Sequence, residues 1–300
     1  MGGVGEERRS LPPTLIEVNT LPAAHASEMV AVPARARYGG AAMRTRSVLA
    51  GALLALVAGP AVAAAYEIAP VPDGGSLRGM VRFAGPPPRL QPIAVNKNRD
   101  VCGDTKESEA LVVEPDRRVG GTVVLIEGVA RGKKPEHEVL IENAHCRFVP
   151  HVSAVMAGAR ARVKNADPVL HNTHGLLAVK GVQGRITVFN LALPNRDQVI
   201  DITKRLTRAG PVHVLCDAHT HMAAWLYVHD SPYLAVTDEA GRYRIDGIPP
   251  GQYMVTMWHE GFTPKGKDKD GRPVYDEPRS ITRGVTIAPS GTATLDFELR

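Results

Sequence analysis

Residues 212–222 read Val212-His213-Val214-Leu215-Cys216-Asp217-Ala218-His219-Thr220-His221-Met222. The stretch opens as a short apolar run of strand type. It ends in a segment that holds a thiol, two imidazoles and a thioether close together. A strand feeding a loop crowded with soft donor groups is a layout suited to holding a metal at the end of a sheet. Taken singly, each residue has a plainer reading. A strand cysteine is most often a small buried hydrophobe, and a loop histidine is most often solvated.

The same texture extends in both directions. Short apolar runs at 76–83, 122–126, 139–141, 152–156, 159–163, 186–189, 199–202 and 225–228 are separated by Gly, Pro, Asn and Asp. Runs spaced in this way predict an all-β sandwich or barrel. The 29 glycines, 24 prolines and 5% aromatic content agree with many turns between short strands. No segment sustains a 3.6-residue apolar period, and residues 198–206 suit a helical turn or a strand equally.

After Asp230 the texture changes. A turn at 237–241, a strand at 242–245, a turn at 248–251 and a strand at 252–259 precede a charged loop at 265–279. The charge run 265–270 is expected to be solvated. Runs at 282–287 and 292–299 close the chain. Two β-units are therefore expected, 66–229 and 230–300. The pattern leaves open whether the second shares strands with the first.

Residues 43–65 have the form of a secretory signal peptide: Arg44 and Arg46, an apolar run over 47–59, then Ala61 to Ala65 as small-residue cleavage positions. The run is too short and wrongly flanked to span a membrane, so no span is expected in the mature protein. Residues 1–42 are polar and rich in Pro, Ala and Arg. They are expected to be a gene-start artefact, with translation beginning at Met43, or to be disordered. Export predicts a periplasmic or secreted protein in an oxidising compartment. The net charge of +5 is mild and spread along the chain, with no basic block that would argue for nucleic acid. No acid–base pair, Ser/His/Asp set or phosphate-binding glycine loop is present, so a non-catalytic role is favoured over an enzyme.

Thiolate, imidazole and thioether together suit copper, which must be held as both Cu(I) and Cu(II). A trigonal His₂Cys site needs a second imidazole from elsewhere in the sheet. Asn165-Ala166-Asp167-Pro168-Val169-Leu170-His171-Asn172-Thr173-His174 follows the 159–163 run and offers one. The plain readings would now have to explain His171, Cys216, His219 and Met222 at once.

A strand ending in Asn-x-Asp, a short apolar step, His-Asn, and later Cys-x-x-His-x-x-Met resembles the cupredoxin (plastocyanin/azurin-like) family over roughly 120–229. The resemblance implies a Greek-key β-sandwich holding one copper ion, with His171, Cys216, His219 and Met222 as ligands. Asn172 falls on the residue that ties the upstream His loop to the Cys loop. The Cys-to-Met spacing is shorter than usual for the family. His221 and His174 are alternates to His219 and His171. With Cys216 taken as the thiolate ligand, Cys102 and Cys146 remain to pair as a disulfide. A rival use of Cys146, with His145 and His151, is a second metal site.

Val236-Thr237-Asp238-Glu239-Ala240-Gly241-Arg242-Tyr243, with Ile248-Pro249-Pro250-Gly251-Gln252-Tyr253, resembles the carboxypeptidase regulatory-like (transthyretin-like) β-sandwich. Its tyrosines are expected to face the core, and His259 to be structural or near the copper. The tail family implies a structural or binding module and no catalysis. With the leader-like segment, the cupredoxin resemblance implies an exported one-electron carrier that docks weakly on a redox protein such as a c-type cytochrome. Copper chaperoning, storage or sensing, a non-redox binding module, and a catalytic copper site with an open position if Met222 does not bind are the alternatives.

Overall fold

Alternation decides which side of each strand is covered. His171–Ala178 alternates buried and half-exposed residues along its length, and Ala161–Asn165 does the same. That is the period-2 pattern of strands with one face on a core. The computed structural model describes residues 66–300 apart from 137, 180, 182 and 183. The expected leader at 43–65 and residues 1–42 lie outside the described residues.

The chain is all-β, with one short helical turn at Arg99–Cys102 and a 3-10 turn at Thr203–Arg205. The ambiguous stretch 198–206 is thus both strand and turn, Val199–Asp201 followed by the 3-10 turn. A five-stranded sheet runs Arg185–Leu193, His171–Ala178, Gly210–Leu215, Ala223–His229, Val152–Met156. A four-stranded sheet runs Val199–Asp201, Ala161–Asn165, Val139–Ala144, Arg147–Val149. Between them lies a core that includes Ile141, Phe148, Val163, Phe189, Val214 and Leu226. Gly175 lets the sheet close on this core: a Cβ there would meet the Phe189 ring at 2.5 Å.

A second core is built on Leu77, Val124, Ile126, Tyr243, Val255 and Phe297. Its strands do not sort by position in the chain. Gly75–Phe83 pairs with Arg242–Ile248, Thr292–Thr294 and Phe297–Leu299. Val123–Ile126 lies between Leu234–Val236 and Gly251–His259. Residues 230–300 therefore share strands with the earlier chain, because both faces of a sandwich must be covered. Tyr243 is buried and donates to the Leu295 carbonyl, while Tyr253 is half-buried against the same core.

A third apolar cluster, Val123, Leu125, Val152, Trp225 and Trp258, joins the two cores. Glu260 is buried beside it. It accepts a hydrogen bond from Trp225 Nε1 at 2.9 Å and pairs with His151. Among the described residues, no helix is long and apolar enough to cross a membrane.

The charged segment differs from its expected form. Pro264–Lys267 and Pro273–Tyr275 pair as a hairpin. Residues 263–271 are exposed, but Arg272 is buried.

Candidate metal centre

Two strands and one loop bring the donor groups together. His171 opens the His171–Ala178 strand on its buried face. Cys216 follows the last residue of Gly210–Leu215, and the two strands are antiparallel neighbours with His174 opposite Leu215. Cys216 therefore emerges beside His171. The loop then turns back through Met222, whose amide donates to the His219 carbonyl at 3.0 Å, into Ala223–His229. That turn carries His219 against the thiol.

His171, Cys216 and His219 are each 0% exposed. One ligand atom from each lies within 4.8 Å of the other two. Cys216 Sγ and His219 Nδ1 are 3.6 Å apart, and the His171 and His219 ring centroids 4.8 Å apart. Bonds of about 2.0–2.3 Å to a shared ion put ligand atoms about 3.5 Å from one another, so the set is close to the spacing an ion needs.

The hydrogen bonds select which nitrogens are free. His171 Nε2 donates to Asp167 Oδ2 at 2.9 Å, and its Nδ1 is buried without a partner among the described residues. His219 Nε2 donates to Asn98 Oδ1 at 3.0 Å, leaving Nδ1 toward the sulfur. Both imidazoles are thus locked with Nδ1 available, the arrangement by which outer hydrogen bonds orient metal-binding histidines. An orphaned buried nitrogen beside a thiol and a second imidazole fits a soft or borderline ion such as copper.

Asp167 is itself held in place. It accepts from the His145 amide at 2.8 Å and the Cys146 amide at 2.7 Å. Asn165 braces the same turn through Val169 and Leu193 carbonyls. Asn172 spans the two loops. Its backbone amide donates to Cys216 Sγ at 3.4 Å, and its side-chain oxygen accepts from the Asp217 amide at 3.1 Å.

Electrostatics keep the donors ready. Burial, with His171 and Lys97 nearby, lowers His219 to about 4. Burial also holds His171 below its ordinary value, although Asp167 pulls the other way. Both rings are neutral at pH 7, as ligation requires. Burial pushes the Cys216 thiol up, opposed by amides of the loop and by Arg272. An ion entering the site would displace that proton.

Met222 is 1% exposed and packs in the same apolar cluster as Cys216. His221 is buried beside His219, with ring centroids 5.6 Å apart, and among the described residues neither ring nitrogen makes a hydrogen bond of good geometry. Burial and His219 lower it to about 4, partly offset by the Cys146 backbone. His219, not His221, is the imidazole at the sulfur.

Of the expected alternatives, His174 and His259 are not brought to the cluster, and Cys146 lies close to His171 but is closed off by its disulfide. His174 lies three residues along a strand from His171, on the opposite face, where it bonds Asp217 and Thr187. Cys146 is joined to Cys102 as expected of the pair, so it offers no thiolate to a site with His145 and His151. His151 is committed to Glu260. His259 is buried away from the cluster, its Nδ1 donating to the Glu260 carbonyl.

Asp167, Asn98 and Arg272 carry the site's support, and sequence reading assigned none of them a role. Asp167 had a signal in the Asn-x-Asp turn. Asn98 and Arg272 had none.

The comparisons with known proteins divide along the chain. Residues 227–300 match the carboxypeptidase regulatory-like domain family. A search of curated proteins finds no match to the chain. Among solved structures, a Cu-containing nitrite reductase from Thermus scotoductus SA-01 is similar at 19% identity and a TM-score of 0.25, over 31% of this chain and 22% of that one. The chain thus spans under a quarter of that enzyme. A methionine-to-alanine variant of amicyanin with Cu(I) is similar at 20% identity and a TM-score of 0.25, over 35% of this chain and 98% of that one. A proline-to-glycine variant of amicyanin, in its reduced Cu(I) form at pH 4, is similar at 15% identity with the same TM-score and coverage.

Proposed function

We propose that this protein is an exported cupredoxin-like one-electron carrier in which His171 Nδ1, Cys216 Sγ and His219 Nδ1 would hold one copper ion, with Met222 as a further thioether ligand. The observation that carries this reading is the convergence of three buried donor atoms within 4.8 Å, with both Nε2 atoms tied back to the protein. Bound copper supplies a one-electron couple. The chain's part is to keep the ligand set nearly constant between the two charge states. Asp167 and Asn98 fix the ring planes, and Asn172 fixes the sulfur. Complete burial excludes water and lowers the local dielectric.

The tail sandwich acts as a structural partner of the copper sandwich, not as a catalyst. Export follows from the leader-like segment at 43–65, and the Cys102–Cys146 disulfide suits an oxidising compartment. The partner is a redox protein such as a c-type cytochrome, docking through a small interface.

A second reading is favoured by His221. Its two ring nitrogens, unpartnered among the described residues and beside His219, would suit exchange of Cu(I) in a chaperone or store. One experiment separates the two. Copper is loaded and oxidised, and visible absorption and electron paramagnetic resonance are recorded for wild type and Cys216→Ser. Intense thiolate-to-copper absorption lost in the variant supports the carrier. Cu(I) retention without stable Cu(II) colour supports exchange. Metal retained by neither protein removes both readings.

A further inference from the structure

Arg272 stands at the turn of the Pro264–Lys267/Pro273–Tyr275 hairpin, on the tail side of the molecule. Asp268 builds that turn. Its carboxylate accepts from the Asp270 and Arg272 amides at 2.9 Å each, and its carbonyl accepts from Gly271, which adopts φ +82°. A left-handed glycine and an aspartate closing its own turn are the usual means of making a tight reversal. The hairpin is solvent-exposed up to Gly271, but Arg272 is only 8% exposed.

The guanidinium enters the loop that carries the metal donors. Nη2 donates to the Cys216 carbonyl at 2.8 Å, and Nη1 donates to Met222 at 2.8 Å and Thr220 at 3.2 Å. The first and last residues of the loop are therefore held by one planar, rigid fork. Among the described residues no carboxylate lies in ion-pair contact with Arg272. A buried cation held by carbonyl dipoles, with Asp268, Asp217 and Asp270 acting only at longer range, is costly to maintain. The Cys216 and Thr220 carbonyls take the guanidinium as a partner, and the Met222 carbonyl shares it with the Cys216 amide at 3.4 Å.

We infer that Arg272 is a positioning residue of the metal centre: inserted from the tail β-unit, it clamps the Cys216–Met222 loop shut and places a fixed positive charge on the carbonyl of the thiolate residue. This rests on the copper reading for its effect on the ion, but not for the loop closure. The fixed charge favours Cu(I), the state with less positive charge at the site. The tail sandwich thereby acquires a role in the chemistry, as the rigid mount of a residue that shapes the loop.

The test compares Arg272→Met, Arg272→Lys and, as a control, Lys269→Met on the exposed side of the same hairpin. Without metal, the rate of Cys216 alkylation by iodoacetamide in the folded, unreduced protein reports loop closure. Arg272→Met should raise it at least tenfold, Arg272→Lys by an intermediate factor, and Lys269→Met not at all. With copper, Arg272→Met should shift the thiolate-to-copper band. It should also move the Cu(I)-over-Cu(II) preference down about tenfold, which is about 59 mV for a one-electron couple. Arg272→Lys should keep the preference and still shift the band, since an ammonium cannot fork across the loop. If Arg272→Met does not fold, Arg272→Lys alone decides. Wild-type alkylation rates in every Arg272 variant that folds would overturn the inference. A wild-type protein that shows no copper band, with the alkylation differences intact, would overturn the copper reading and leave the clamp standing.

Discussion

Cys146 donates its backbone amide to Asp167 Oδ2 at 2.7 Å, and the same oxygen accepts the His171 Nε2 proton. Cys102, the other half of the disulfide, ends the helical turn that Asn98 immediately precedes, and Asn98 is the residue against His219 Nε2. A single cross-link thus lies behind both imidazoles. Replacing both cysteines by serine should lower unfolding free energy by about 4 kcal/mol on the loop-closure model for a 44-residue separation. Copper affinity should fall as well. Urea denaturation and a competitive chelator titration would measure the two effects, and a loss of stability with unchanged affinity would count against the support role.

Asp167 and Asn98 each hold one ring. Asp167→Ala and Asn98→Ala should each weaken copper binding by about 10–100-fold, the usual effect of removing an outer partner of a metal-binding histidine. Asp167→Ala should also cost about 2 kcal/mol of stability, because the His145 and Cys146 amides lose their acceptor. Chelator competition and chemical denaturation on the same samples separate the two effects. Equal affinity in the wild type and both variants would show that the rings are oriented by packing alone.

Glu260 is a buried carboxylate at the junction of the two sandwiches, satisfied by Trp225 and His151. Glu260→Ala leaves a half-buried histidine and a buried indole N–H without their acceptor. It should destabilise the protein by about 3 kcal/mol or more, as removal of one member of a buried pair does. The midpoint of urea unfolding, followed by tryptophan fluorescence, is the direct measure, since Trp225 and Trp258 both flank the site.

The apoprotein should be most stable near neutrality. Burial, then Arg185, Arg272 and His151, lower His213 from 6.5 to about 3. A depressed histidine binds fewer protons folded than unfolded, so its contribution is complete above about pH 6.5 and is lost as pH falls toward 3. The slope should approach about 1 kcal/mol per pH unit after allowance for solvent screening. His151 has the opposite sign. Burial pushes it down, but the Glu260 charge and hydrogen bond outweigh that and raise it above 6.5. Its contribution is complete below about pH 6.5 and is lost as pH rises through the folded value. Urea midpoints from pH 4.5 to 8.5 should therefore pass through a maximum, and His213→Gln should flatten the acid side.

Much of the site could be read along the chain because its donors sit at strand ends. Cys216 and His219 are three residues apart in one loop, and His171-Asn172 marks the neighbouring strand. The choice between His171 and His174 needed the register. Once His171–Ala178 is a strand, residues three apart point to opposite faces. The choice between His219 and His221 needed the turn that bonds the Met222 amide to the His219 carbonyl. The 265–270 charge run is solvated as expected, but the residue after its glycine turn is buried in the metal loop.

The sequence by itself determined the all-β character and the strand-then-loop placement of Cys216. These follow from local properties: alternation, turn residues and donor type. Tertiary structure alone decided that Asn98 meets His219 across 121 residues and that Arg272 meets Cys216 across 56. It also decided that strands from before residue 130 complete the tail sandwich. Such contacts arise when buried polar groups must find partners after the sheets have packed, and an isolated polar residue in the chain carries no period or spacing that foretells which group it will satisfy.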